Sequence, residues 1–201
     1  MFAALLEAIF PSACGACGRE GSGLCSACAP PRDAIERFST GGLRVAASAR
    51  YEGAIRAAVL AMKRGRRDVA AALGDLLAER LGNCVPRDAA LVPAPTTRAR
   101  RRERGFDQAE VLARRVARRL DVSCADLLRR VPGAPQQGRS RAERVGSQAR
   151  FALSGAAFGP SLRVMLVDDV VTTGATLRDA AAALEAAGVE VLGAIVAART
   201  V

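Results

Sequence analysis

The sequence predicts an α/β domain built on a mostly parallel sheet flanked by helices, with a small cysteine-rich module in front of it. Three observations carry this. From Arg44 onward, apolar strand-like and helix-like segments alternate. Near the C-terminus, a continuous apolar run, a helix and a second apolar run form a βαβ unit. Before all of these, four of the six cysteines fall within fifteen residues. With 201 residues, half of them hydrophobic, the chain is long enough to bury a core. The expected division is residues 1–40 for the front module and residues 41–201 for the main domain.

The cysteines read Cys14-Gly-Ala-Cys17 and Cys25-Ser-Ala-Cys28, two CxxC knuckles seven residues apart. Each knuckle turns tightly enough to aim two thiolates at one ion. Two knuckles complete a closed tetrahedral site, so Cys14, Cys17, Cys25 and Cys28 are the candidate ligands of a structural zinc. Disulfides are disfavoured by the absence of an export signal, and redox-active pairs by the lack of a thioredoxin-like context. Cys84 and Cys124 read as small, semi-buried residues. Ala3 to Phe10 is a short apolar helix candidate closed by Pro11, with no basic leader. No apolar run reaches membrane-spanning length, and the expected location is cytoplasmic. Pro30-Pro31 and the polar stretch to Gly42 mark the module boundary.

In the main domain Val45 to Tyr51 reads as a strand. Glu52 to Met62 and Val69 to Leu81 read as helices, the second capped by Asp68. Ala89 to Val92 is a short strand ending at Pro93-Ala-Pro95. Asp107 to Leu120 is the clearest helix, with Asp107 and Glu110 in capping-box spacing and an apolar stripe of Ala109, Leu112, Ala113, Val116 and Leu120. On it Arg114, Arg115 and Arg118 are expected to point away from the stripe. Val164 to Val167 is a strand buried on both faces, Ala175 to Ala187 a helix ended by Gly188, and Val189 to Ala198 the last strand.

The turn between that strand and helix holds the chemistry. Asp168-Asp169 lies where the strand leaves the sheet, and Thr172-Thr173-Gly174-Ala175-Thr176 enters the helix. Ligands of open α/β sheets bind at the carboxyl ends of strands, and a helix N-terminus offers free N–H groups to an anion. Gly174 lets the backbone bend closely, while Thr hydroxyls add donors without charge. Carboxylates accept hydrogen bonds from ribose hydroxyls, so the segment reads as a phosphate-plus-ribose site. It is neither a Walker A loop nor a dinucleotide fingerprint.

The formal charge of +10 implies attraction to polyanions, and Lys63 is the only lysine. Arg98, Arg100, Arg101, Arg102 and Arg104 cluster after a predicted strand, and Arg139, Arg141, Arg144 and Arg150 form a second set. Guanidinium forks suit phosphate oxygens, of pyrophosphate or of a nucleic-acid backbone. With aromatics only 3% of the chain, DNA binding would be backbone-driven and salt-dependent.

Residues 164–176 resemble the thirteen-residue signature of type I phosphoribosyltransferases. Together with the knuckles, Tyr51-Glu-Gly53 with Lys63, Val92-Pro-Ala-Pro95, Arg102-Glu-Arg-Gly-Phe-Asp-Gln108, Gln136 and Glu143-Arg144, they resemble the ComF family nearly end to end. The resemblance implies a type I phosphoribosyltransferase-like fold with an N-terminal zinc ribbon, binding phosphoribosyl pyrophosphate with magnesium. It implies that Asp168 and Asp169 meet the ribose hydroxyls and that Thr172, Thr173, Gly174, Ala175 and Thr176 hold the 5'-phosphate. Pyrophosphate falls to Thr96, Thr97, Arg102 and Arg104. Asp107 and Ser147 stand where the family pattern usually has Asn. Two functions follow: phosphoribosyl transfer, for which no histidine exists to serve as base and no acceptor is identified, or a non-catalytic role in DNA uptake. In the second, Arg98, Arg100, Arg101, Arg139 and Arg144 would bind single-stranded DNA. Oligomeric state is not read from the sequence.

Overall fold

The computed structural model describes residues 12–131, 151–154 and 162–200. The helix expected over residues 3–10, and Gln136, Arg139, Arg141, Glu143, Arg144, Ser147 and Arg150, lie outside the described residues. The main sheet has five strands: β1 (Glu36–Thr40), β2 (Leu43–Ala47), β3 (Ala90–Pro93), β6 (Arg163–Val171) and β7 (Glu190–Arg199). Their order is β1-β2-β7-β6-β3, with only the β1–β2 hairpin antiparallel. A second, two-stranded antiparallel sheet pairs β4 (Leu128–Arg130) with β5 (Phe151–Leu153).

Five helices accompany the sheet in the described residues: α1 (Gly53–Lys63), α2 (Arg67–Leu81), α3 (Arg98–Arg104), α4 (Gln108–Leu120) and α5 (Ala175–Glu185). The central strand explains the layering. Met165 and Val167 of β6 enter one apolar cluster with α1, α2 and α4, whereas Val164 and Leu166 enter another with α5 and the β4–β5 sheet. All four are buried, as a two-faced strand requires. The apolar stripe of α4 is buried at Ala109, Leu112, Ala113 and Val116 but only partly at Leu120.

Several local expectations change. Residues 36–40, read as a polar link, pair as β1 with β2, because their alternation of exposed and half-buried positions suits an edge strand. Asp68 is not the cap of α2: that position is Arg66, and Asp68 instead pairs with it, Nη2 to Oδ2 at 2.6 Å. Arg115 does not face solvent freely; it meets Asp75 of α2 at 2.7 Å, across the α2–α4 contact. The run 98–104 is helix α3 rather than loop, held at its ends by the Thr97 side chain and by Gly105 in the left-handed conformation. It carries no buried residue and so gives no apolar period to read. Most relevant to the site, β6 extends through Asp168 and Asp169 to Val171.

The four knuckle cysteines gather in front of α2, and the module docks closely. A Cβ on Gly23 would stand 2.5 Å from the Asp68 carbonyl oxygen. Arg80 of α2 donates to the carbonyls of Pro30 and Pro31, both at 2.7 Å. No helix of the described residues is long and apolar enough to cross a membrane.

Candidate functional site

Strand lengths create the site. Strand β3 pairs with β6 only as far as Pro93 beside Val167, while β7 follows β6 to Val171 beside Arg199. Beyond Val167, β6 therefore has a neighbour on one side only, and Asp168 and Asp169 border a cleft of about 360 Å³. The place is the carboxyl end of a parallel strand, where ligands of such sheets bind.

The carboxylates are fixed locally. Asp168 Oδ1 accepts the Asp169 N–H at 2.8 Å, and Asp169 Oδ1 accepts the Val170 N–H at 2.7 Å. Asp169 Oδ2 meets Lys63 Nζ at 3.2 Å. Burial pushes Asp168 well above the usual carboxylate range, and the neighbouring charge of Asp169 pushes it further. Asp107, also on the cleft, is raised by burial against the opposing pull of the Thr96 and Glu110 N–H groups.

Thr172 and Thr176, flanking the start of α5, also line the cleft. Gly174 caps that helix at φ +72°, with no side-chain cap bond, and a Cβ there would meet the Thr40 side chain at 2.6 Å. Thr173 and Ala175 do not line the cleft. Instead the Thr173 carbonyl accepts from Thr40 Oγ1 at 3.3 Å and from Arg178 Nη1 at 2.7 Å, and Arg178 also donates to Thr40. The tip of the β1–β2 hairpin thus braces the loop.

Thr96, Arg100 and Arg104, from the segment after β3, line the cleft as well. The structure redistributes the arginines. Arg100, grouped by sequence with the nucleic-acid set, lines the cleft, whereas Arg102 and Thr97 do not, Thr97 being spent on capping α3. Arg98, Arg101 and Arg102 are exposed; Arg98 and Arg101 line an adjoining cavity, and Arg101 pairs with Glu110 at 3.2 Å. Asp107 accepts the Thr96 N–H at 2.8 Å and caps α4, so it fixes the loop after β3.

Sequence reasoning gave no role to Tyr51, Lys63, Gln108, Arg130 or Thr200, which complete the wall. The motifs Tyr51-Glu-Gly53 with Lys63 and Arg102-Glu-Arg-Gly-Phe-Asp-Gln108 contained three of them without assigning a role. Arg130 and Thr200 lie at strand ends that no periodicity marks.

The sulfur atoms of Cys14, Cys17, Cys25 and Cys28 all lie within 4.8 Å of one another. Cys25 N–H donates to Cys14 Sγ at 3.5 Å, a geometry that stabilises a thiolate. Burial opposes ionisation of Cys14, but N–H groups of Cys17, Cys25 and Ala16 outweigh it and bring it down to about 6. Hydrogen bonds with Cys17 and Cys25 push Cys28 up to about 12. Crowded thiols competing over one negative charge form a donor set suited to a soft divalent cation.

Residues 107–200 match the phosphoribosyl transferase domain family. The chain is 34% identical over 106 residues to Competence protein F of Haemophilus influenzae, covering 50% of this chain and 46% of that protein. It is 36% identical over 94 residues to Competence protein ComFC of Bacillus subtilis, covering 47% and 37% respectively. The aligned stretch thus spans less than half of either relative. Among solved structures, orotate phosphoribosyltransferase from Aeropyrum pernix is similar at 22% identity and a TM-score of 0.44, over 82% of this chain and 75% of that one. Adenine phosphoribosyltransferase from Leishmania tarentolae is similar at 16% identity and a TM-score of 0.43, over 84% of each chain.

Proposed function

We propose that the chain, which matches the phosphoribosyl transferase domain family over residues 107–200 and two competence proteins over about half its length, is a ComF-like protein whose cleft binds phosphoribosyl pyrophosphate with magnesium and transfers the phosphoribosyl group to an acceptor. The observation that carries this reading is the set of groups that one cleft brings together. Two carboxylates, Asp168 and Asp169, share it with Thr172 and Thr176 at a helix N-terminus and with Thr96, Arg100 and Arg104. A ligand that combines phosphate, a diol and pyrophosphate calls for these same charges and hydrogen-bonding groups.

The 5'-phosphate takes the free N–H groups at the start of α5 and the Thr176 hydroxyl. Asp169, paired with Lys63, accepts from a ribose hydroxyl. In the reaction the bond from the anomeric carbon to the pyrophosphate oxygen breaks, its electron pair leaves with pyrophosphate, and the acceptor forms the new bond. Arg100 and Arg104 stabilise the departing charge. Hard oxygen donors without thiol or imidazole suit magnesium, which when bound would neutralise phosphate charge; Asp168 and Asp169 are the residues that would hold it. The four knuckle thiols hold a structural zinc, as their mutual distances allow.

Calorimetry with phosphoribosyl pyrophosphate and magnesium tests the site. Wild type is expected to bind, and the double variant Asp168→Ala/Asp169→Ala to lose binding; equal affinity of the two rules out the site. A second reading, a DNA-handling protein without turnover, draws on the exposed Arg98, Arg101 and Arg102 of α3 and on the printed names of the two competence relatives. It predicts single-stranded DNA binding that weakens steeply with salt. Pyrophosphate release across candidate acceptors distinguishes transfer from binding alone.

A further inference from the structure

The one lysine and the one tyrosine of the chain stand together at the cleft. Every other basic residue besides Lys63 is arginine, so the composition of this chain strongly favours guanidinium wherever only positive charge is needed. Lys63 closes α1, and Tyr51 lies just ahead of that helix, where its backbone N–H donates to the Arg199 carbonyl at 2.7 Å. Lys63 Nζ sits 6.0 Å from the Tyr51 ring centroid and 3.2 Å from Asp169 Oδ2. Its side chain is 27% exposed and that of Asp169 16%, so the pair is shielded more than a typical surface ion pair.

The chemistry separates lysine from arginine here. An ammonium is a point donor that engages one carboxylate oxygen, whereas a guanidinium fork takes both. Asp169 Oδ1 is already turned to the Val170 N–H and Oδ2 to Lys63. Each oxygen has two lone pairs, so this arrangement fixes the carboxylate while leaving acceptor capacity on both oxygens. A fork in place of the ammonium would consume it. The aromatic face beside Nζ limits where the ammonium can swing.

We infer that Lys63, backed by the Tyr51 ring, is a positioning residue that holds Asp169 as the acceptor for the sugar hydroxyls of the ligand. The inference rests on the phosphoribosyl reading of the cleft and goes beyond it by giving α1 a part in the site. On this assignment Lys63 acts through Asp169 and contributes to the sugar contacts rather than to those of pyrophosphate. A purely structural ion pair would alter stability without discriminating among ligands, and this difference makes the assignment testable.

The experiment uses the full chain with its metal, titrated in magnesium with three probes: phosphoribosyl pyrophosphate, ribose 5-phosphate and inorganic pyrophosphate. Lys63→Met is expected to weaken the first two about tenfold, a loss of about 1.4 kcal/mol, and to leave pyrophosphate unchanged. Lys63→Arg, which keeps the charge and guards against misfolding of the neutral variant, is expected to recover only part of the loss. In an Asp169→Asn background Lys63→Met should cost nothing further, the signature of a coupled pair. Unchanged ribose 5-phosphate affinity in Lys63→Met, or equal loss for all three probes, overturns the inference while leaving the phosphoribosyl site intact. Failure of wild type to bind either sugar phosphate overturns both.

Discussion

At the scale of single residues, Asp168 carries a cost that the proposed function explains. Burial and the neighbouring Asp169 raise it well above its ordinary range. An acid with a raised pKa in the folded state binds protons more tightly there than when unfolded. Its contribution to stability is fully present below the ordinary carboxylate pKa of about 3.9 and is lost as pH rises through the raised value. At neutral pH the group is therefore a liability to the fold. Asp168→Asn is expected to raise the melting temperature at pH 7 by about 3 °C, corresponding to about 1 kcal/mol, while weakening sugar-phosphate binding. The gain should vanish at low pH; a melting curve in which it persists there contradicts the assignment. Asp107 shows the other use of a buried carboxylate, as a cap of α4 and an anchor of Thr96.

At the scale of elements, the loop of residues 172–176, proposed to hold phosphate, is not self-supporting. The hairpin tip at Thr40 and the first turn of α5 at Arg178 converge on the Thr173 carbonyl. Gly174 passes so close to Thr40 that a side chain would displace it. Thr40→Val removes the hydroxyl from this junction at nearly constant volume. Affinity for ribose 5-phosphate is expected to fall about tenfold, about 1.4 kcal/mol, with inorganic pyrophosphate unaffected. Loss of both would mean a general loosening of the sheet instead. None of this was visible in the segment 36–40, whose composition resembles a linker; its strand character comes from pairing with β2. Helix α3 was hidden for a related reason, since seven mostly charged residues with no buried face give no helical period, and its end signals, Thr97 and Gly105, become decisive only in three dimensions.

At the scale of the whole molecule, the cysteine module and the main domain share a boundary at the start of α2. Gly23 lies against the Asp68 backbone, and Arg66 donates to the Ala13 carbonyl. Stripping the proposed zinc with a chelator is therefore expected to lower the melting temperature of the whole chain by several degrees. Gly23→Ala should reproduce part of that shift by about 1–3 kcal/mol through overpacking. Unchanged melting after complete metal removal would show the module to be energetically independent. The alternating α/β order, the two-faced strand before Asp168, the small-residue turn into α5 and the four clustered thiols could all be read from the sequence. Each depends on local spacing, on side-chain chemistry within a few residues or on the period of a single element. Which arginines face the cleft, the bracing of Thr173 by Thr40, and the meeting of Lys63 and Tyr51 with Asp169 were decided by tertiary structure alone. These contacts join residues from 5 to 138 positions apart, and most of them exist only because strands of unequal length and separate helices converge at one end of the sheet.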